Sequence, residues 1–124
     1  ENKLEDYVTI IKKISNIFNL INASDVIILP SISMEDFPNV IVEAMSLGKP
    51  VIGTKIAGIP EQIDHQINGF LINPKDSDGL YDSILQLIDK DLRLKYGNES
   101  INKFNKNYTV EISTSNYLKL YKLN

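Results

Sequence analysis

Apolar and polar positions follow two different periods along the chain, and each period predicts one kind of element. Short, nearly continuous apolar runs rich in Val and Ile predict strands that are buried on both faces. Longer segments in which apolar residues recur every three or four positions predict helices with one buried face. The pattern predicts four strands, at Tyr7–Ile11, Val26–Leu29, Val51–Thr54 and Phe70–Ile72. It also predicts six helices. The first three are Asn16–Asn22, Pro38–Leu47 and Ile59–Asp64, the fourth runs from a cap at Asp76, Ser77 or Asp78 to about Lys90, the fifth is Asp91–Lys106, and the last follows Thr109.

Single residues predict where several of these helices begin and end. Pro38 suits the first helical position, where its missing N–H would have no partner anyway. Gly48 can adopt the left-handed conformation that ends a helix, and Pro50 prevents its continuation. Ser15 and Thr109 are candidate N-caps. The apolar positions at helical spacing are expected to face the core: Ile14, Ile17, Phe18 and Ile21, then Leu80, Ile84, Leu87 and Ile88, then Leu94, Ile101 and Phe104.

The order of the elements predicts an α/β fold. Strands that are apolar on both faces and alternate with helices are typical of a parallel sheet covered by helices on both faces. Ligands of such sheets bind outside the carboxyl ends of the strands. The loops Lys12–Asn16, Ser31–Phe37 and Lys55–Gly58 each follow a predicted strand, so we expect them on one rim.

Two carboxylates flank the predicted start of the second helix. Glu35 and Glu43 are eight positions apart with Pro38 between them, and Pro38 and Glu43 are separated by about 7.5 Å of helix. The N–H groups of a helix N-terminus bind phosphate, and carboxylates accept hydrogen bonds from vicinal hydroxyls. A nucleotide-diphosphate sugar would fit, with its sugar at Glu35 and its ribose at Glu43. The alternative is that Glu43 is a solvated helix residue and Glu35 only favours the helix dipole.

The segment from Pro30 to Thr54 resembles the signature of retaining GT-B glycosyltransferases of the family 4 (group 1) type. These enzymes carry an E-x7-E motif followed by an E-A segment and a G-x-P-V segment, as Glu35–Val51 does here. The blocks Ala57–Ile63 and Asn68–Ile72 are similar to the family's next conserved stretch. The resemblance covers Tyr7 to Tyr121 and implies the Rossmann-like C-terminal half of a GT-B fold.

The resemblance also implies a role for individual residues. Glu35 would contact the hydroxyls of the transferred sugar close to the reacting carbon and is the candidate catalytic residue. Glu43 would accept hydrogen bonds from the ribose hydroxyls. The donor sugar and phosphate would lie along Asp36, Phe37, Pro38, Asn39 and Val40, where Pro38 offers no N–H donor, and the base-binding loop would comprise Lys12, Lys13, Ile14, Ser15 and Asn16.

Two departures from the family pattern leave questions open. Asp36 stands where the family usually has Gly or another small residue. Its charge would either repel a diphosphate, at a cost of about 1 kcal/mol, or cap the helix and point away. The family's phosphate-binding Arg and Lys and its acceptor-binding domain precede the part that this chain resembles. We therefore expect residues 1–124 to be a single, N-terminally truncated donor-binding domain, with a C-terminal helix at 109–124 that leans on the absent partner domain.

Composition and charge narrow the possible partners. The 124 residues, 43% hydrophobic and 23% charged, suit one folded domain, and a net charge of -3 indicates no nucleic-acid partner. The absence of cysteine excludes disulfides and thiolate metal sites. His65 is the single histidine and is expected to be an exposed loop residue, and one histidine alone cannot form a metal site. We therefore expect no metal, and we also expect no cofactor. No apolar run approaches the roughly 18–20 residues that span a bilayer. We expect a cytoplasmic protein, at most peripheral on the inner face of the membrane.

Two functions from different classes follow from these observations. The first is the donor-binding part of an enzyme that transfers a hexose from a nucleotide-diphosphate sugar to a hydroxyl acceptor with retention, in cell-surface glycan synthesis. Its acceptor, a sugar or a lipid-linked sugar, would be bound by the missing N-terminal domain, so this chain alone would be inactive. The alternative is a nucleotide-binding or interaction module without catalysis, built on a degenerate transferase fold.

Overall fold

The computed structural model describes residues 4–121 and shows a three-stranded sheet with helices on both faces. All three strands are parallel, in the order β1-β2-β3, with Ile27 opposite Val51 and Val51 opposite Gly69. The predicted α/β class and the parallel sheet are confirmed. The elements are α1 (Ile17–Ala23), β1 (Ile27–Leu29), α2 (Asn39–Ser46), β2 (Val51–Thr54), α3 (Ile59–Gln62), β3 (Gly69–Ile72), α4 (Ser77–Gln86), α5 (Lys90–Asn107) and α6 (Val110–Leu120).

Alternate side chains of the strands enter two separate apolar clusters, one on each face of the sheet. Val51 packs on the first face against Ile41 and Met45 of α2. Ile52, the next residue of β2, packs on the second face against Phe70. The first cluster comprises Ile21, Ile41, Ala44, Met45, Val51, Ile59 and Ile63, and the second comprises Ile52, Phe70, Ile72, Leu87 and Tyr96.

Helix α5 crosses the amino end of the sheet and packs on both clusters. Tyr96 belongs to the second cluster, and Phe104 packs against the first. Between them, the Ser100 hydroxyl lies 3.1 Å from the carbonyl oxygen of Lys49 and 3.3 Å from that of Asn68. Asn68 immediately precedes β3, and Lys49 lies two residues before the start of β2. Helix α5 therefore closes one end of the sheet and leaves the opposite rim, at the carboxyl ends of the strands, to the loops.

The end of α2 follows the predicted chemistry, whereas its start is shifted by one residue. Gly48 has a φ of 65°. Its N–H donates to the Met45 carbonyl at 3.0 Å, and the N–H of Lys49 donates to the Ala44 carbonyl at 3.0 Å. This pair of bonds is the Schellman motif, which satisfies the last carbonyls of the helix. Pro38 occupies the N-cap and not the first helical position.

Gly97 of α5 lies directly against the backbone at the end of α2. A Cβ at this position would overlap the carbonyl oxygen of Gly48, which cannot rotate away as a side chain can. We expect Gly97→Ala to lower the free energy of unfolding by about 1–3 kcal/mol, because this overlap outweighs the roughly 1 kcal/mol that alanine gains in a helix.

Urea denaturation measures the effect, and Asn98→Ala is the matched control. Asn98 is exposed on the same helix, so its replacement should leave stability unchanged or slightly higher. If Gly97→Ala were as stable as the wild type, the two backbones would not be in contact at this point.

The strand predicted at Tyr7–Ile11 is wrong. This segment has no regular structure and is exposed, with Tyr7 86% accessible. β-Branched residues favour a strand only where a neighbouring strand offers a partner. Within residues 4–121, the outer edge of β1 has no such neighbour.

The predictions around α1 and β1 also need correction. Ser15 is not the N-cap, because the side chain of Asn16 accepts from the N–H of Asn19 at 3.4 Å and α1 starts one residue later. β1 is not buried on both faces: Ile28 is 39% exposed, as expected for a strand at the edge of the described sheet. Of the apolar face predicted for the first helix, only Ile21 is buried, whereas Ile14, Ile17 and Phe18 are exposed.

Helices α4 and α6 begin at predicted caps and α5 begins one residue earlier than predicted, and these helices bury partly different side chains. Asp76 caps α4 and Thr109 caps α6, each through its side-chain oxygen. Leu87, directly after α4, is buried, and Leu80 of α4 and Phe104 of α5 are half-buried. The inward-facing line of α5 runs through small or polar residues that a purely apolar periodicity overlooks: Tyr96, Gly97 and Ser100. The residues predicted to be buried and found exposed are Ile84, Ile88, Leu94 and Ile101.

Among residues 4–121, no helix is both long and apolar enough to cross a membrane.

Candidate functional site

Two of the three loops predicted for the rim lie side by side at the carboxyl end of the sheet. The buried Thr54, the last residue of β2, donates its hydroxyl to the carbonyl of Ser31 at 2.8 Å. The N–H of Gly58 approaches the carbonyl oxygen of Glu35 at 3.4 Å. The loop after β1 is thus attached to β2 and to the loop after it, and this part of the prediction is confirmed.

Gly58 is required by the close approach of these two loops. A Cβ on Gly58 would overlap the carbonyl oxygen of Asp36 and touch the ring of Phe37 at 3.3 Å. The preceding residue, Ala57, has a φ of 44°, which is unusual for a residue with a side chain. The tight turn at 57–58 therefore lies directly against the backbone of the loop that carries Glu35.

Glu35 is half-buried and is held by one hydrogen bond within its own loop. The Ser31 hydroxyl donates to Oε1 of Glu35 at 3.2 Å. Ser31 in turn is attached to Thr54 of β2, so the carboxylate is oriented by a strand end. A carboxylate has about four acceptor sites, so most of the hydrogen-bonding capacity of Glu35 remains for other donors.

Helix α2 starts beside this loop without a side-chain cap. Pro38 at the N-cap accepts a hydrogen bond from Nε2 of the buried Gln62 at 3.1 Å, which ties the start of α2 to α3. No side chain caps the first turn, so the N–H groups of its first residues stay available to a ligand. The capping role considered for Asp36 is wrong, because Pro38 fills that position. Asp36 is exposed. Because it lies two residues before Pro38, its negative charge is close to the uncapped start of α2.

Glu43 lies one turn further along α2. It is half-buried, four residues after Asn39 and therefore on the same side of the helix. That side faces away from the buried Ile41. The rise of the helix places Glu43 about 6 Å beyond Asn39. Glu35 and Glu43 therefore lie on either side of the uncapped start of the helix.

The family of the chain follows from comparison with known proteins. The family model described as Glycosyl transferases group 1 matches residues 1–90. The chain belongs to this family. It is 34% identical over 119 residues to N-acetyl-alpha-D-glucosaminyl L-malate synthase of Bacillus anthracis, which covers 95% of this chain and 31% of that enzyme.

Solved structures agree with this assignment. A glycosyltransferase from Rickettsia africae is similar with a TM-score of 0.88 and 31% identity, over 97% of this chain and 32% of its own. HepE of Anabaena, solved in complex with UDP, is similar with a TM-score of 0.77 and 32% identity, over 84% of this chain and 29% of its own. The chain thus spans about a third of these relatives. The C-terminal half of a GT-B glycosyltransferase fold, which the sequence predicted, is confirmed.

The base-binding loop predicted for this group 1 chain, residues Lys12–Asn16, is not at the carboxyl end of a strand. The strand that was expected to precede it is absent, so the argument that placed this loop on the rim is wrong. All five residues are exposed, and Asn16 uses its carboxamide to cap α1. The loop is still connected to the site region through α1, which packs on α2.

Several residues that shape the site were missed by sequence reasoning. Thr54 carries a buried hydroxyl at the end of an apolar strand, and a polar residue at that position is the one feature of the sequence that could have indicated its role. Gln62 is fully buried, and its Oε1 has no hydrogen-bond partner within the described residues. Tyr108 reaches the site from the junction of α5 and α6, and no local pattern indicates this. His65 is exposed as predicted, and its Nδ1 accepts from the N–H of Leu71 at 3.0 Å.

No group of three or more His, Cys, Asp or Glu side chains within residues 4–121 is arranged to hold a metal ion.

Proposed function

We propose that this chain is the donor-binding part of a glycosyltransferase that moves a hexose from a nucleotide-diphosphate sugar to a hydroxyl acceptor with retention of configuration. The observation that carries the proposal is the uncapped start of α2 beside the loop that holds Glu35, both at the carboxyl rim of the sheet. The complexes of the similar HepE with UDP and with UDP-glucose support a nucleotide-sugar donor.

Each part of the site has a distinct task in this proposal. Glu35 binds hydroxyls of the transferred sugar next to the reacting carbon. The segment Asp36–Val40 binds the sugar and the distal phosphate through backbone N–H groups, except at Pro38. The partial positive charge of α2 stabilises the diphosphate as it departs. The acceptor hydroxyl then attacks the face that the diphosphate leaves and gives its proton to the departing diphosphate, so that the configuration is retained without a metal or cofactor.

The rest of the donor and the acceptor need further contacts. Glu43 accepts from the ribose hydroxyls, and Lys12–Asn16 line the base. The acceptor, a sugar or a lipid-linked sugar, binds an N-terminal domain outside this chain. The apolar side chains that α6 exposes, Val110, Tyr117 and Leu120 among them, support a contact of this helix with that domain. The last three residues of the segment predicted at 109–124 lie outside the described residues. We place the enzyme in the cytoplasm, at most peripheral to the inner face of the membrane, where it builds a cell-surface glycan.

A panel of UDP-, GDP- and ADP-sugars, offered to the full-length protein with candidate sugar acceptors, tests the proposal. We expect transfer from one of these donors and a product with the anomeric configuration of the donor, determined by NMR. This chain by itself should transfer no sugar, because the acceptor is proposed to bind outside it. An inverted product would exclude retention, and a full-length protein that neither binds nor uses any of the donors would refute the proposal.

Glu43→Gln should weaken donor binding without slowing the chemical step. Loss of a contact made equally in the ground and transition states raises KM and leaves kcat nearly intact. Hydrogen bonds to a charged group contribute roughly 1.5–3 kcal/mol, so we expect the donor KM to rise about tenfold or more. Initial-rate kinetics of the full-length enzyme measures this. Glu99→Gln, an exposed glutamate of α5, is the control, and an unchanged KM for Glu43→Gln would remove the ribose contact from the proposal.

A further inference from the structure

The loop that carries Glu35 touches a residue from the far end of the chain. The rings of Phe37 and Tyr108 lie 5.7 Å apart, centroid to centroid, at an angle of 64°. This is the edge-to-face arrangement that aromatic pairs prefer, and such pairs contribute about 0.5–1.5 kcal/mol beyond their buried area. Phe37 is 41% exposed, and the ring of Tyr108 covers part of the remainder.

Tyr108 is itself held on several sides. It ends α5, where its N–H donates to the carbonyl of Phe104 at 2.8 Å. Its hydroxyl donates to the carbonyl of Glu61 in α3 at 3.2 Å. Burial raises the pKa of Tyr108, and the nearby carboxylates of Asp64 and Glu61 raise this pKa further. The phenol therefore stays protonated and remains a donor.

Helix α3, to which Tyr108 is hydrogen-bonded, also holds this loop. Gly58, its N-cap, approaches the carbonyl of Glu35 with its N–H, and Gln62 donates to the carbonyl of Pro38. The loop is thus contacted both by α3 and by the α5–α6 junction. Tyr108 is the one residue among these that contacts both the loop, through Phe37, and α3, through Glu61.

We propose that Tyr108 is a positioning residue for the transfer reaction, which orients Glu35 by fixing Phe37 against α3. The proposal rests on the function proposed above, because that function gives Glu35 its role. It predicts that loss of the Tyr108 ring changes kcat but not the affinity for the nucleotide. Loss of the Tyr108 ring should release the loop of Glu35, whereas Glu43 lies within α2, whose buried side is held in the first cluster, where Tyr108 is one of several flanking side chains.

A purely structural role for Tyr108 predicts a different result. Tyr108 also packs against the apolar cluster beneath α2, so its removal is expected to reduce stability in either case. A packing residue would reduce stability without changing kcat per folded molecule. A positioning residue lowers kcat and leaves the nucleotide affinity unchanged, since a misplacement of about 1 Å can reduce a rate by as much as a hundredfold.

The test compares Tyr108→Leu, Tyr108→Phe and the control Tyr81→Leu in the full-length protein. Tyr81 is a 61% exposed tyrosine of α4. For Tyr108→Leu we expect faster hydrogen exchange of the amides at 33–37, a kcat about ten- to a hundredfold lower, and an unchanged dissociation constant for the nucleoside diphosphate. Tyr108→Phe keeps the ring and should restore kcat to within a few-fold of the wild type. Tyr81→Leu should resemble the wild type.

A double-mutant cycle shows whether Tyr108 acts through Phe37. If it does, Phe37→Leu combined with Tyr108→Leu should lower kcat no more than the larger single effect, because residues in contact are not additive. Multiplying effects would show that Tyr108 acts by another route and would overturn the proposal.

The two readouts separate this proposal from the proposed function. Unchanged exchange at 33–37 in Tyr108→Leu would overturn the positioning role whether or not the protein transfers sugar. Faster exchange with a wild-type kcat would also overturn it, because the loop would move without consequence for the reaction. If the wild-type protein used no nucleotide sugar, the proposed function would fail, and with it the role in transfer, while the exchange result would still decide whether Tyr108 holds the loop.

Discussion

Glu35→Gln in the full-length enzyme is expected to lower kcat by about a hundredfold or more, with little change in nucleotide affinity. In the proposed reaction, Glu35 contacts the sugar where charge and ring shape change, so its contribution is made in the transition state. A hydrogen bond to a charged group contributes roughly 1.5–3 kcal/mol, and a hundredfold in rate corresponds to about 2.7 kcal/mol. The amide oxygen of glutamine can still accept from Ser31, so the loop should keep its conformation.

Single-turnover kinetics with saturating donor measures this effect apart from binding. Glu99→Gln removes a glutamate charge from the exposed face of α5 and serves as the control. The circular dichroism and thermal midpoint of Glu35→Gln should match those of the wild type. If Glu35→Gln transferred sugar at the wild-type rate, the E-x7-E spacing would be a coincidence, and Glu35 would only complement the dipole of α2.

Gly58→Ala is expected to impair both stability and activity through the backbone of the same loop. The added methyl group would occupy the position of the Asp36 carbonyl oxygen. Overpacking of this kind costs about 1–3 kcal/mol. Because the backbone that has to move carries Glu35, we also expect kcat to fall by about tenfold or more. Denaturant unfolding and donor kinetics measure the two effects.

The neighbouring substitution Ala57→Gly provides a matched control with no steric conflict. Ala57 has a positive φ, and replacement by glycine relieves roughly 1 kcal/mol of backbone strain. The greater freedom of glycine in the unfolded chain costs about 0.5–1 kcal/mol, so the net change should be close to zero. If Gly58→Ala behaved like Ala57→Gly, the two loops would not be in contact, and the site would lack the rigidity proposed here.

The parts of the fold that were predicted correctly depend on short-range chemistry. β2, from Val51 to Thr54, is a continuous apolar run between a helix end and a loop, and it was located without error. Gly48 ended α2 as predicted, because only the sequence around it decides a left-handed helix end. The E-x7-E segment was recognisable for the same reason, since its loop, helix start and carboxylates are contiguous in the sequence.

The incorrect predictions concern segments whose state depends on distant partners. The β-branched residues of Tyr7–Ile11 favour a strand, but no strand of the described sheet pairs with them. Asp36 is a good capping residue by type, but Pro38 occupies the cap. In α5, Gly97 lies on the inward face because it contacts Gly48, whereas the apolar periodicity predicted that Leu94 and Ile101 would face inward.

The sequence by itself determined the α/β class, the family, the order of most elements and the identity of the two candidate glutamates. These properties follow from local propensities and from motifs whose residues are neighbours along the chain. Only the tertiary structure decided how the loop of Glu35 is held, by contacts with Thr54, Gly58 and Tyr108. These residues come from separate elements, and sequence patterns do not encode the distances between them. Those distances are set by the packing of α3 and α5 against the sheet.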